Sequence, residues 1–429
     1  FLAKTFQILS NVKPEMKSGI YMYSRAGFGK LVGFLIAWGY WMSTAFGNVG
    51  YAVLLMDALN YFFPPWFKGG NTWQAVALAS LCIWGMSFLV IRGVKAATLL
   101  NNIGTIAKFV PVIIFIAIAL FYAVQYHRFS VDFWGNMKSN MLSDKPLGSI
   151  FDQIKSTMLV TLWMYIGIEG AVVLSDKADS KTVGKATILG FIITTVLYVA
   201  VSVLPYGYFS QGELAAMAPP STAAILSKMV GHWGAVMINF GVIVALLSSW
   251  LVWTMLVAEL PWACAKDGAF PKVFARTNDA GVANVSLWTS TVVMQLAMLL
   301  VYFSNNAWNV MLSITGVILL PAYICSSAYL WRLIYKKYPA EAAYGTTTAL
   351  LTSIFATVYG FWLIYAAGLS YILVGCVIYT IGLLVFYKAR KEESPDEPAF
   401  TRHELYISLI MVAIAIISLV MLFDGMLPE

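Results

Sequence analysis

The sequence predicts an all-α polytopic membrane protein. The chain is 60% hydrophobic and only 11% charged, whereas soluble domains carry roughly 25% charged residues. Apolar runs near 20 residues long recur from end to end, and each is long enough to cross about 30 Å of hydrocarbon. The runs are continuous rather than alternating, which excludes a membrane β-barrel and leaves helices as the spanning elements.

The apolar runs predict a partial helix that ends near Asn11 and eleven whole spans after it. No segment has the composition of a separate soluble domain, so we expect residues 1–429 to form a single transmembrane domain. Because the first run is short, we also expect a truncated chain that lacks about one and a half helices at its start. The whole spans cover about 31–63, 73–91, 104–126, 155–175, 184–206, 234–264, 286–304, 308–335, 346–367, 369–388 and 404–424.

The basic residues support this span count and give it a direction. If the partial helix runs inward, 20 lysines and arginines fall in inner loops and six in outer loops, in agreement with the positive-inside rule. The original N-terminus is then cytoplasmic and the C-terminus lies outside. The inner groups lie at 13–30, 92–108, 177–185, 266–276, 332–337 and 388–402.

The residue types that carry enzyme chemistry are sparse. The four cysteines lie in apolar runs without a CxxC motif, and the three histidines are far apart. We therefore expect no metal site, no cofactor and no catalytic group, and we predict that the protein is not an enzyme. The net charge of +7 follows from the basic inner loops, so a nucleic-acid partner is not expected.

One carboxylate stands out within an apolar span. In "TLWMYIGIEGAVVLS" (161–175), Glu169 lies between Gly167 and Gly170. It could have a structural role and stabilise helix packing by accepting hydrogen bonds from a neighbouring helix. The stronger interpretation is functional, because intramembrane ionisable groups usually face a water-filled path and glycines let a helix unwind at a solute site. Asp57 can reach the interface as a solvated end charge, and Glu259 could pair with a lysine or line an inner vestibule.

Two further spans carry polar or aromatic groups at membrane depth. In the span 31–63, small and polar residues fall at helical spacing and can share one face, although close helix packing would also explain them. In the span 234–264, Trp250 and Trp253 could be core residues or could present a π-face to a cation. The shared face consists of Ser43, Thr44, Gly47, Asn48 and Tyr51.

At these motifs the sequence resembles the arginine/ornithine antiporters of the basic amino acid/polyamine antiporter family, within the amino acid–polyamine–organocation superfamily. The resemblance covers essentially the whole chain. It is carried by "KPEMKSGIYMYSRAGFG" (13–29), "AWGYWMSTAFGNVGYAVLL" (37–55), "TLWMYIGIEGAVVLSDKA" (161–178), "VGKATILGF" (183–191) and "SWLVWTMLVAELPWACAKDGAFP" (249–271).

The resemblance implies a LeuT-like fold of two inverted five-helix repeats, each beginning with a helix broken at the substrate site. Residues 1–126 would be the remainder of the first repeat, 155–335 the second repeat, and 346–424 about three accessory helices. The family's first helix binds the substrate carboxylate with a glycine/serine-rich break. This chain lacks that stretch, so the function we predict belongs to the complete protein.

The resemblance also assigns roles to individual positions. Trp163 would gate the site from outside and stack on the substrate, and the backbone at Ile166 and Gly167 would contact its amine. Glu169 would serve proton coupling or conformational change, and Tyr40 would lie on the inner side of the pathway.

The other implied substrate contacts lie on three helices. A patch on the third helix would face the substrate, an eighth-helix tryptophan would lie against its side chain, and hydroxyl groups of the tenth helix would lie nearby. These residues are Ser43, Thr44, Asn48 and Tyr51; Trp253; and Thr315 with Ser313.

The implied function is a one-for-one exchange of arginine for ornithine by alternating access in a bacterial inner membrane. The alternatives are another cationic pair that includes lysine, cadaverine, agmatine or histidine, and a proton-coupled importer. A passive channel is disfavoured because the sequence has no ring of charge and no repeated filter loop. The expected partners are cationic amino acids and the lipid bilayer, and a homodimer is a further expectation.

Overall fold

The computed structural model describes residues 1–16, 19–93, 97–129, 146–167, 169, 180–217, 220–304, 306–337 and 344–423. Within these ranges the regular structure is helical, which confirms the predicted all-α class. The helices are α1 (Leu2–Val12), α2 (Ile20–Phe28), α3 (Lys30–Asn60), α4 (Trp73–Ile91), α5 (Ala97–Tyr126), α6 (Ile150–Tyr165), α7 (Ser180–Val203), α8 (Gln211–Ala215), α9 (Ser221–Val230), α10 (His232–Lys266), α11 (Asn284–Val301), α12 (Ala307–Lys337), α13 (Thr346–Ala367), α14 (Leu369–Glu393) and α15 (Arg402–Phe423).

Nine of the helices in the described ranges are long and apolar enough to cross a bilayer: α4, α5, α7, α10, α11, α12, α13, α14 and α15. Two predicted spans do not meet that composition or length. Helix α3 has 31 residues, but its tryptophan, tyrosine, serine, threonine and asparagine side chains dilute its apolar character. Helix α6 has 16 residues because it stops at a break. The part of the predicted span 155–175 beyond Glu169 lies outside the described residues.

Three short helices were not expected from the sequence. Helices α2, α8 and α9 contain nine, five and ten residues. Each is too short to produce an apolar run of membrane length, so the apolar pattern of the sequence does not reveal it. Helix α8 begins with a capping box, in which Ser210 and Glu213 satisfy each other's backbone N–H groups.

Helix α3 is the central element of the bundle. It packs against α2, α4, α10, α11, α12 and α14, so the faces on which it carries polar and small residues are enclosed by other helices. Gly27, just before α3, lies against Tyr329 near the end of α12, whereas Gly50 lies against Trp308 at its start, so the two helices run antiparallel. Their basic ends lie on the same side of the molecule, which we call the basic end.

Ionic contacts tie the basic end together. The Lys30 ammonium lies 2.9 Å from Glu393 Oε1, and Arg390 Nη1 lies 2.8 Å from Glu393 Oε2. The Lys272 N–H donates to Glu392 Oε2 at 2.6 Å. The end of α14 therefore holds both the start of α3 and the short 3-10 helix that begins at Lys272.

The contact between α3 and α14 depends on a glycine. A Cβ at Gly39 would lie 2.0 Å from Tyr379 Oη, which donates a hydrogen bond to the Ile318 carbonyl at 2.7 Å. We expect Gly39→Ala to lower the free energy of unfolding by about 1–3 kcal/mol, because the Tyr379 ring must move. The measurement is thermal unfolding of the detergent-solubilised protein.

Gly85 in α4 is a matched control for this substitution. A Cβ there would have no neighbour within 4 Å, and alanine is a better helix former than glycine. Gly85→Ala should therefore leave the melting temperature unchanged or raise it slightly. Equal melting temperatures for the two variants would contradict the close α3–α14 contact.

Candidate functional site

The functional region begins at the break after α6. The helix is started by a Ser149–Asp152 capping box, and it ends at Tyr165, because Ile166 has an extended conformation (φ −59°, ψ 128°). Gly167 follows with φ +109°, a backbone region that favours glycine. The chain therefore leaves the helical path at Ile166 and Gly167, beside the glycines that were expected to let the helix unwind.

Glu169 lies immediately beyond this break and is completely buried. Three groups donate hydrogen bonds to its carboxylate. Tyr40 Oη donates to Oε1 at 3.2 Å, while Tyr323 Oη and the Gly167 N–H donate to Oε2 at 2.7 and 3.0 Å. The carboxylate thus joins α3, α12 and the broken segment at one point.

Within the described ranges, this carboxylate has no cationic partner. The ion pairs found there are Lys13–Glu15, Lys30–Glu393 and Arg390–Glu393, all at the basic end. Burial of an unpaired carboxylate is costly, and hydrogen bonds offset only part of that cost. A group kept at that cost at membrane depth is a candidate functional residue.

A narrow cavity of about 40 Å³ opens beside Glu169. It lies between α3, the break after α6, α10 and α12, and Ser43 Oγ bridges two of these helices through a 2.9 Å bond to the Thr315 carbonyl. The volume accommodates water but not an amino acid, so a substrate would require side chains to move. The cavity is lined by Tyr40, Ser43, Thr44, Gly47, Tyr51, Trp163, Ile166, Glu169, Trp253, Thr315 and Leu319.

Aromatic rings close the side of the cavity away from the basic end. The Trp163 ring makes edge contacts with Tyr51 and Trp308, with centroid distances of 6.0 and 5.1 Å. Two buried polar atoms of lining residues, Trp163 Nε1 and Thr315 Oγ1, have no hydrogen-bond partner in the described part of the chain. A solute in the cavity could bind them once these side chains move.

The structure brings most of the sequence-predicted site residues together around this cavity. Gly167 is in the break itself, and its backbone passes close to the Trp253 ring. Asn48 is buried but does not line the cavity, and among the described residues neither atom of its amide has a hydrogen-bond partner. Ser313 is buried outside the lining as well.

Sequence reasoning missed other residues of the region. Leu319 and Tyr323 follow Thr315 at intervals of four, so they share one face of α12. Their helical spacing from Thr315 could have indicated that both residues face the site. Trp308, which contacts Trp163, carried no signal beyond its aromatic type.

Glu259, a second acidic residue at membrane depth, does not lie at the central cavity. It lines a separate cavity of about 150 Å³ near the basic end, together with Trp262 and Gly281. It does not contact the Glu169 cavity.

The spanning helices pack around a central cavity, as expected of a multi-pass membrane protein. The model of the amino acid permease family matches residues 2–380, which makes the chain a transporter rather than an enzyme. The chain therefore belongs to the amino acid permease family, as the sequence motifs predicted.

Close relatives agree with this membership. A protein of Clostridium perfringens named "Putative amino-acid transporter" is 51% identical over 429 residues, which cover 99% of this chain and 89% of that protein. A protein of Chlamydia felis named arginine/agmatine antiporter is 49% identical over 98% of this chain and 86% of its own length. The Chlamydia pneumoniae protein of the same name is 47% identical over 99% and 87%.

Proposed function

We propose that the protein exchanges arginine for a second cationic solute across the membrane by alternating access. The observation that carries this proposal is the unpaired, buried carboxylate of Glu169 in a cavity that is also lined by Trp163 and Trp253. A carboxylate attracts a cationic side chain, and the face of a tryptophan ring stabilises a cation by roughly 0.5–2 kcal/mol. The Chlamydia relatives are named for arginine, which supports the same substrate here.

The contacts on either side of the cavity suggest its two gates. Toward the basic end, Glu169 accepts hydrogen bonds from Tyr40 and Tyr323. On the opposite side, Trp163 contacts Tyr51 and Trp308. Side-chain contacts on both sides of the cavity fit an exchanger that opens one gate at a time.

Within this scheme the substrate contacts are proposals as well. Trp163 and Trp253 would enclose the cationic side chain, and the backbone at Ile166 and Gly167 would bind the amine. Ser43, Thr44, Asn48, Tyr51 and Thr315 would supply the remaining surface, with Asn48 reaching the substrate only if α3 rotates.

The counter-substrate has two candidates. The sequence motifs suggest ornithine, and the names of the Chlamydia relatives favour agmatine as a second candidate. The two differ in charge, because agmatine lacks a carboxylate. Near neutral pH, arginine and ornithine each carry one net positive charge and agmatine carries two.

This difference makes a direct test possible. We expect the full-length protein in liposomes loaded with ornithine to take up labelled arginine many times faster than in empty liposomes. An imposed membrane potential should not change the rate if ornithine is the partner, since that exchange moves no net charge. Potential-dependent uptake driven only by internal agmatine would select the second candidate, and equal uptake into empty liposomes would contradict exchange itself.

Three further expectations complete the proposal. The basic end would face the cytoplasm of a bacterial cell, in keeping with the positive-inside rule. Residues 1–126 and 155–335 would be the two repeats, with 346–424 as accessory helices. A homodimer stays a prediction, which chemical cross-linking in membranes would test.

A further inference from the structure

A further cavity, larger than the two described above, lies on the side of the bundle opposite the basic end. It has a volume of about 680 Å³, within the roughly 300–1,000 Å³ range of small-molecule sites. It is enclosed by the end of α3, the 3-10 helix Lys68–Gly70, α9, α10 and the start of α12. We call this cavity the vestibule.

Two opposite charges face the vestibule without pairing with each other. Asp57 Oδ1 accepts a hydrogen bond from the Gly69 N–H at 2.9 Å, which leaves its second oxygen without a partner in the described part of the chain. The Lys68 side chain is exposed and also lines the cavity, and no ion pair joins it to Asp57. A negative and a positive group are therefore both available to a ligand.

One residue that lines the vestibule carries a buried polar atom without a partner in the described ranges. Asn239 of α10 is only 1% exposed, and its Nδ2 donates to the Ala235 carbonyl at 2.9 Å. Its Oδ1 has no partner among the residues that the structure describes, and Asn239 is one of the residues that line the cavity. A buried acceptor of this kind normally has a hydrogen-bond donor, and a ligand ammonium or guanidinium group would supply one.

The vestibule adjoins the central cavity through one aromatic contact. Trp308 lines the vestibule, Trp163 lines the central cavity, and their rings meet edge to face at 5.1 Å. On α3, Tyr51 lines the central cavity while Val53 and Leu54 line the vestibule. A solute in the vestibule is therefore separated from the central site by the Trp163 ring.

From these observations we propose that the vestibule is a binding site for the cationic amino acid before it enters the central cavity. Asp57 and Asn239 bind its cationic groups, and Lys68 binds its α-carboxylate. This inference rests on the proposed function, because it assumes that arginine is the transported solute.

The test measures exchange at each face of the membrane separately, in right-side-out and inside-out vesicles that contain the full-length protein. Asp57→Asn keeps the acceptor for the Gly69 N–H, so the turn is retained. We expect it to raise KM at the vestibule face about fivefold for both arginine and agmatine, as for loss of an exposed ion pair. KM at the basic face and the maximal rate should not change.

Lys68→Gln distinguishes the role of the carboxylate. It should raise the vestibule-face KM for arginine a few-fold and leave that for agmatine unchanged, because agmatine has no carboxylate. The matched control is Glu213→Gln in α8, which removes an acidic charge from a short helix outside the vestibule lining. Glutamine preserves the capping box with Ser210, and neither KM should change.

The possible failures are distinguishable. If the wild-type protein exchanges arginine but Asp57→Asn alters KM equally at both faces, or at neither, the vestibule site is wrong and the proposed function stands. If Lys68→Gln affects arginine and agmatine alike, the assignment of the carboxylate to Lys68 is wrong. If the wild-type protein exchanges no arginine, the proposed function falls and this inference falls with it.

Discussion

Replacement of Glu169 by glutamine is expected to lower arginine exchange at least about tenfold while the protein still folds. The carboxylate accepts hydrogen bonds on both oxygens from Tyr40, Tyr323 and Gly167. Glutamine has one carbonyl oxygen, and its amino group would face a position now held by a donor. Loss of a charge-assisted hydrogen bond costs about 1.5–3 kcal/mol, and 1.4 kcal/mol is a factor of ten.

The reason for a functional effect is the position of these bonds. They join α3, α12 and the broken segment on the basic side of the cavity, where the proposed inner gate closes. Weaker hydrogen bonds at this point should change the balance between the closed and open states. The substitution also removes the only charge that the described lining offers a cationic substrate. Exchange into ornithine-loaded liposomes measures the first effect, and arginine binding at equilibrium measures the second.

Glu259→Gln is the matched control for this prediction. Glu259 is also a carboxylate at membrane depth, but it lines a separate cavity and does not contact the substrate region. We expect exchange by this variant to stay near the wild-type rate. If the Glu169 variant exchanges arginine at the wild-type rate, with normal yield and a normal melting temperature, the proposed role of Glu169 in the inner gate is wrong. Its role would then be structural, in helix packing.

The break after α6 could be predicted from the sequence, because a carboxylate and flanking glycines in an apolar run have few structural explanations. The α3 face was also predictable from helical spacing. Asn48 shows the limit of that approach: at about 100° per residue it lies about 40° beyond the arc formed by Ser43, Thr44, Gly47 and Tyr51, so the rotation of the helix decides whether it faces the cavity.

The partners of Glu169 could not be found in the same way. Tyr323 is 154 residues away in sequence, and a single tyrosine in an apolar helix is ordinary. Which residues meet across helices depends on the rotation and axial shift of each helix, and these follow from packing throughout the bundle. The vestibule was hidden for the same reason, because its charges come from the end of α3 and a turn while its unpaired amide comes from α10.

Gly167→Ala is the second substitution for which we expect a large loss of exchange. Gly167 has φ +109°, and an L-residue there is strained by about 1–3 kcal/mol. A Cβ would lie 3.7 Å from Trp253 Cζ2, an ordinary contact distance, so steric overlap is not the cause. The backbone would relieve the strain by moving, and that would displace the Gly167 N–H from Glu169 and the Ile166 backbone from the cavity.

Gly29→Ala separates this local effect from a general loss of stability. Gly29 has φ +95° and open space around its Cα, so alanine there carries a similar strain. It lies between α2 and α3 at the basic end, away from the cavity. Both variants should therefore melt at similarly reduced temperatures, but only Gly167→Ala should lose arginine binding and exchange.

A parallel loss in the two variants would mean that exchange depends on overall stability rather than on the shape of the break. An intact Gly167→Ala exchanger would mean that the segment tolerates a helical path, and the broken helix would then have no part in binding. The expected pattern, equal strain with unequal activity, arises only if the conformation of Gly167 itself positions Glu169 and the Ile166 backbone around the substrate.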